Sequence, residues 1–173
     1  MMDTTLDGVR ERVLEIISRR APVCEVLTYL VEAAESHSDG RSVCSVLLLD
    51  DEGLLRNGAS PGLPADYLAA IDRLKPDPAV GTCAAAAATG KIVITPDLRS
   101  DAGWKELRHL PLALGLRAAW SVPMIGRGGR VLGTFGTYFR DSRPPRPEER
   151  NFIEALAQLA VMAIEGETAA AQA

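Results

Sequence analysis

Cys83 heads the stretch "GTCAAAAATG", ahead of five alanines and a Thr-Gly stop. A thiol at the first turn of a helix meets the positive end of the helix dipole, which stabilises thiolate and permits redox or nitric-oxide sensing. A free cysteine is also among the most buried residue types, and the reading of Cys83 as a small core hydrophobe is preferred. Thr82 and the amides after it form an anion-binding helix start in principle. No Gly-x-Gly-x-x-Gly or P-loop accompanies them to shape a phosphate cradle. The other thiols, Cys24 and Cys44, make an odd total of three with no C-x-x-C among them, which supports neither a disulfide framework nor a zinc site. All three are expected as reduced thiols.

Asp97, Arg99, Asp101 and Trp104 fall on one long connection. A loop that mixes charges with an aromatic closes over a polar ligand; alternatively the aspartates cap turns and Trp104 packs down as a lid. Trp120 shares a strand face with Ala118 and Val122. It either stacks on a ring ligand or fills core against the terminal helices. Thr134, Gly136 and Tyr138 alternate with Phe135, Thr137 and Phe139, and one of these two sets lines a pocket. Of the two histidines, His109 is better placed than His37 for a haem or metal, which needs an apolar pocket and a second ligand. Both read as surface residues, and no metal site is expected.

These residues need elements to hold them. Leu6, Val9, Val13, Ile16 and Ile17 recur at three and four, predicting an N-terminal helix that ends near "SRR". A second helix begins at Pro22 and buries Val26, Leu27, Leu30, Val31 and Ala34. "SVCSVLLLDDEGLLRNGAS" reads as a β-hairpin, followed by a short helix with Tyr67, Leu68 and Ile71 and then by the loop "LKPDPAVG". The alanine run, with Thr82 as N-cap and Gly90 as stop, predicts a helix of about two turns. "KIVIT" is a strand, and the connection after it carries some helix. "LRAAWSVPMI" and "VLGTFGTYF" form a second hairpin around "GRGGR". The last helix starts at Pro147, with two glutamates in its first turn, and is expected to run to about Glu165. Hairpin-linked strands flanked by helices predict an α+β fold on an antiparallel sheet.

The totals narrow the function. The 19 basic and 23 acidic residues give a formal charge of -4. No basic block is long enough for a phosphate backbone, so no nucleic-acid partner is expected. No apolar run approaches the roughly 20 residues that span a bilayer, and the first residues lack a secretory pattern. The chain is expected to be cytoplasmic, with no membrane partner.

Three segments together resemble the GAF domain, a small-molecule-binding sensor module of bacterial signalling proteins. They are "VGTCAAAAATGKIVITPDLRSDAGW", "GLRAAWSVPMIGRGGRVLGTFGTYF" and "RPPRPEERNFIEALAQLA". The resemblance runs from about Ala21 to Glu165. It implies an N-terminal helix over 1–20 for dimerisation and signalling, a GAF domain over 21–166 and a tail over 167–173. It also implies a PAS/profilin-like antiparallel sheet of about six strands, with the terminal helices on one face and a ligand pocket on the other. The chain has Cys83-Ala84-Ala85 where close relatives have Cys-Gly-Thr, and Ala118-Ala119-Trp120 where they often have Ala-Cys-Trp. It lacks the cysteine that would tether a bilin and the Asn-Lys-x-x-x-Phe-x-x-x-Asp-Glu pattern of cyclic-nucleotide-binding members.

The function expected is a non-catalytic sensor, of the kind found in two-component signalling. A small molecule of unidentified class binds near Cys83, Arg99, Asp101, Trp104, Trp120, Phe135 and Thr137. The signal passes through the terminal helices of a homodimer to an output domain or partner such as a kinase, cyclase or regulator. The alternatives are a cysteine-dependent redox enzyme, such as the free methionine sulfoxide reductases of one GAF-like branch, and a dimerisation-only module.

Overall fold

Two amphipathic helices open the chain. Leu6–Ser18 is α1, capped by the Thr5 hydroxyl oxygen, which accepts the Gly8 N–H at 3.1 Å. Val23–His37 is α2, with Pro22 at its N-cap. Val9, Val13 and Ile16 of α1 and Val26, Leu27, Leu30 and Val31 of α2 are buried, as their spacing predicts, whereas Ile17, counted in the same stripe, is exposed because it follows Ile16 directly and so turns off that face. The computed structural model describes residues 3–172.

The strands are β1 (Ser42–Leu49), β2 (Leu55–Ala59), β3 (Val93–Thr95), β4 (Ala118–Ile125) and β5 (Val131–Phe139). They form one antiparallel sheet in the order β2-β1-β5-β4-β3. The α+β class and the strand positions are as predicted. The sheet has five strands among the described residues, against the six or so implied by the resemblance. Between β2 and the alanine run, Pro76 and Pro78 lack the N–H groups that strand pairing needs, and the stretch is loop. Only a single bridge, Leu55 to Leu74, remains there.

One face of the sheet is covered by α1, α2 and the last helix, α6 (Pro147–Gln172). The other face carries three short helices, α3 (Ala65–Ile71), α4 (Cys83–Thr89) and α5 (His109–Ala113), with a 3-10 turn at Ala102–Trp104. We call this second layer the roof. The last helix continues past the expected end at Glu165, because "GETAAAQ" is rich in the best helix former and holds no proline. Residues 167–172 are therefore helix, and position 173 of the expected tail lies outside the described residues. Among those residues, no helix is long and apolar enough to cross a membrane.

Strand alternation divides the sheet's side chains cleanly. Cys44, Val46, Phe135, Phe139, Ala118, Trp120, Val122 and Met124 pack against the terminal helices. Val43, Leu47, Ala119 and Tyr138 face the roof. In the middle of this arrangement, β5 is bonded on both sides and buried on both faces. It carries glycine where its neighbours press hardest: a Cβ at Gly133 would lie 2.1 Å from the Leu47 carbonyl oxygen and 3.0 Å from the Met124 methyl carbon. Gly133→Ala must therefore push β1 and β5 apart. We expect it to lower the unfolding free energy by about 3 kcal/mol, at the upper end of overpacking costs, as read by urea denaturation.

Candidate functional site

The alanine helix lies flat on the sheet because its side chains are short. Cys83 through Ala87 are all buried, and Gly90, at φ 68°, ends the helix by donating its N–H to the Ala86 carbonyl. Beneath its first turn lie Ser121 of β4 and Thr134 and Gly136 of β5. The Cys83 sulfur is 3.0 Å from Ser121 Oγ, and the Ser121 hydroxyl donates to Thr82 Oγ1 at 2.9 Å. With that proton committed, the thiol is the donor to Ser121. Thr82 stands at the head of the helix as predicted, yet its hydroxyl makes no capping bond. It faces the sheet and accepts from Ser121 instead.

The contact is permitted by a missing side chain. A Cβ at Gly136 would sit 3.0 Å from the Cys83 sulfur and 3.3 Å from Ser121 Oγ. Burial pushes the Cys83 thiol up, tempered by the nearby hydroxyls of Ser121, Thr134 and Thr82, so at neutral pH it is a thiol. The helix end is only two turns long and does not offset that loss of solvent. Cys44, on the opposite face, is raised to about 12 by burial, while Cys24 is exposed. Cys44 and Cys83 face opposite sides of the sheet, and no two of the three thiols are brought together.

Further polar groups continue the wall. The Tyr67 hydroxyl donates to that of Tyr138 at 2.8 Å, and burial raises both phenols, which stay neutral. Trp104 sets its ring edge-on to Tyr138, with centroids 6.0 Å apart. Ser45 and Ser60 are 2.6 Å apart, and Ser60 donates to Asn57. Two buried polar atoms in this layer have no hydrogen-bond partner: Trp104 Nε1 and Thr134 Oγ1. Thr134 Oγ1 lies near enough to the Cys83 sulfur to favour its thiolate slightly, but short of a well-formed hydrogen bond. A buried polar atom left unpaired costs about 1–3 kcal/mol, and in a native fold it asks for an explanation.

The expected site residues divide between the two faces. Cys83 and Trp104 belong to the roof layer. Asp101 stands at its rim, where its carboxylate accepts the Gly103 N–H and the Thr95 hydroxyl and so fixes the 3-10 turn that carries Trp104. Arg99 is exposed and pairs with Asp97 through both its side chain and its N–H. Trp120, Phe135 and Thr137 point away from the roof, towards α2 and α6. His37 stacks on Phe152 on that far side, and exposed His109 opens α5. Among the described residues there is no cluster of His, Cys, Asp and Glu that would hold a metal. Ser121 and Ser45 were not singled out in the sequence. Their signal was strand alternation, which places them with Thr134 and Gly136 once the facing helix is known.

The fold agrees with comparison to known proteins. Residues 21–165 match the GAF domain family. The chain is 41% identical over 157 residues to the methyl sulfide methyltransferase-associated sensor of Methanosarcina acetivorans; this covers 90% of the chain but only 16% of that relative. The GAF domain of a phosphoenolpyruvate-protein phosphotransferase from Coxiella burnetii superposes with a TM-score of 0.76, at 18% identity and 97% coverage of both chains. A free methionine-R-sulfoxide reductase from Neisseria meningitidis, solved with its substrate, gives 0.74 at 16% identity, over 95% of this chain and 89% of the other. The chain belongs to the GAF domain family, and a homologue named as a sensor supports a sensor role.

Two expectations follow from the packing around Cys83. Iodoacetamide added to the native protein labels Cys24 alone, and all three thiols react only after denaturation, as intact mass would record. Gly136→Ala lowers stability by about 2 kcal/mol through overpacking, and most of this is recovered in the Gly136→Ala/Cys83→Ala double variant, where the sulfur is gone. Equal losses in both backgrounds would mean that α4 does not rest on Gly136.

Proposed function

We propose that this GAF domain is a non-catalytic sensor whose ligand enters between α4 and the sheet and is small and uncharged. The observation that carries the reading is the pair of uncommitted buried groups, Thr134 Oγ1 and Trp104 Nε1, in a wall of hydroxyls, a thiol and two phenols. Every polar side chain in that wall is neutral. Asp101 is at the rim and already occupied, and Arg99 is outside. An ion placed here would lose its water without meeting an opposite charge, which costs far more than the hydrogen bonds return. A neutral molecule with a hydrogen-bond donor and acceptor would satisfy both orphan atoms and lose little on desolvation.

The relative's name links it to a methyl sulfide methyltransferase, and methyl sulfides are neutral. Small amides, which carry both a donor and an acceptor, are accordingly the first probes; dimethyl sulfoxide, which only accepts, and dimethyl sulfide, which does neither well, test how much of the binding the hydrogen bonds supply, with acetate, phosphate and methylammonium as charged counterparts. The signal would run through β4 and β5 to the terminal helices of a homodimer and on to an output domain or partner. The rival reading, a thiol-dependent reductase, has the fold likeness in its favour. It lacks a low-pKa thiol and a resolving partner, since burial raises Cys83 and Cys44 lies across the sheet.

Thr134→Val separates ligand binding from folding. Replacing an unpaired buried hydroxyl by a methyl raises the stability of the free protein by about 1 kcal/mol. The same change removes a ligand contact, so it reduces the thermal shift given by a neutral probe. A variant that is destabilised, or that keeps the full shift, would count against a ligand at Thr134. A shift produced by acetate or phosphate and not by neutral probes would overturn the uncharged-ligand reading.

A further inference from the structure

On the far side of the sheet from the roof, a cavity of about 230 Å³ opens between the end of α2, the start of α6, the start of β1 and the end of β5, with Trp120 of β4 at its wall. Trp120, Phe139 and Phe152 line it, with His37 stacked on Phe152 at 3.9 Å, alongside the hydroxyls of Ser38, Ser42 and Thr137. Trp120 is 1% exposed, and its indole N–H is the third buried polar group without a partner. An indole N–H only donates, so its missing partner is an acceptor.

The mouth is charged. Arg143 lies over the Phe139 ring at 4.2 Å and holds Glu149 with two bonds of 2.8 and 3.0 Å. Glu149 also accepts the Arg146 N–H at 2.7 Å, so this carboxylate is fully committed. Burial alone would raise its pKa, yet the bonds from Arg143 and the Arg146 N–H bring it below the ordinary value. Arg41 and Arg146 line the mouth with no ion pair among the described residues, and Asp39 and Glu148 stand beside them in solvent. The first turn of α6 adds a dipole that favours negative charge.

We propose that this cavity is a second binding site, for a small aromatic carboxylic acid. The ring lies among Trp120, Phe139 and Phe152, an oxygen at its inner end accepts the Trp120 N–H, and the carboxylate faces the guanidinium groups of Arg41 and Arg146. The site rests on observations separate from those at the roof. Because it wedges between the sheet and the start of α6, its occupancy sets how that helix seats on β4 and β5. It thus gives the domain an input at the base of its longest helix.

The test is a titration of the 15N-labelled chain with 4-hydroxybenzoate, followed by its two indole N–H signals, which Trp120→Phe assigns. The Trp120 signal is expected to move saturably while that of Trp104 stays in place. Benzoate, which lacks the inner oxygen, should bind about tenfold more weakly, the worth of one good hydrogen bond. Trp120→Phe and the surface double variant Arg41→Gln/Arg146→Gln should each weaken 4-hydroxybenzoate by a similar factor. A static Trp120 signal at millimolar 4-hydroxybenzoate overturns the proposal. So does movement of the Trp104 signal alone, which would put the acid under the roof. Undiminished binding to the arginine variant would overturn it even if Trp120→Phe failed to fold.

Discussion

The close approach of α4 to β5 is the constraint from which the roof layer follows. Cys83 can rest its sulfur over Gly136 only because neither the helix nor the strand carries bulk at that point. Five alanines give a helix with high propensity and minimal radius, and glycine removes the one side chain that would hold it off. Larger residues on α4 would lift it from the sheet and admit water to Ser121, Thr134 and Thr82. The hydroxyls would then be solvated surface groups instead of a buried polar wall. The same economy appears at Gly133, where β5 presses against the backbone of β1.

Burial then decides the chemistry. In solvent, a thiol at a helix start would be a candidate nucleophile. Beneath α4 it is surrounded by neutral donors and acceptors and has no cation near, so desolvation dominates and the proton stays on. Tyr67 and Tyr138 follow the same rule. The layer therefore offers hydrogen bonds and shape but no charge, in contrast to the arginine-rimmed cavity across the sheet.

Much of the fold was legible in the sequence because the apolar spacing was strong. The stripes of α1 and α2, both hairpins, the alanine helix and its glycine stop fall where the residues predict. The residues themselves marked five strands, and the sixth came only with the family resemblance. The sites were less legible. Trp120, Phe135 and Thr137 share a face with one another, as alternation requires, but which face depends on the register between strands and helices, a tertiary property. Thr82 shows the same limit: local rules make it an N-cap, and the actual partner is Ser121, 39 positions away. The role of Cys83 turned on burial, which a thiol's neighbours in sequence do not reveal.

Adjacent residues on β4 connect the two faces. Ser121 binds Thr82 and Cys83 under the roof, and Trp120, one residue earlier, packs on the terminal helices and walls the far cavity. On β5, Gly136 and Thr137 are split in the same way and pair with Ser121 and Trp120 respectively. A strand in mid-sheet cannot tilt one side chain without carrying its neighbour, because pleat and ladder bonds fix their relation. A ligand that draws Ser121 or Thr134 towards the roof must therefore adjust Trp120 and Phe135 beneath α6. Tight packing converts such small shifts into a choice between seatings of a helix rather than a gradual deformation. The pairing of Ser121 with Gly136 and of Trp120 with Thr137 thus couples the layer under α4 mechanically to the seat of α6.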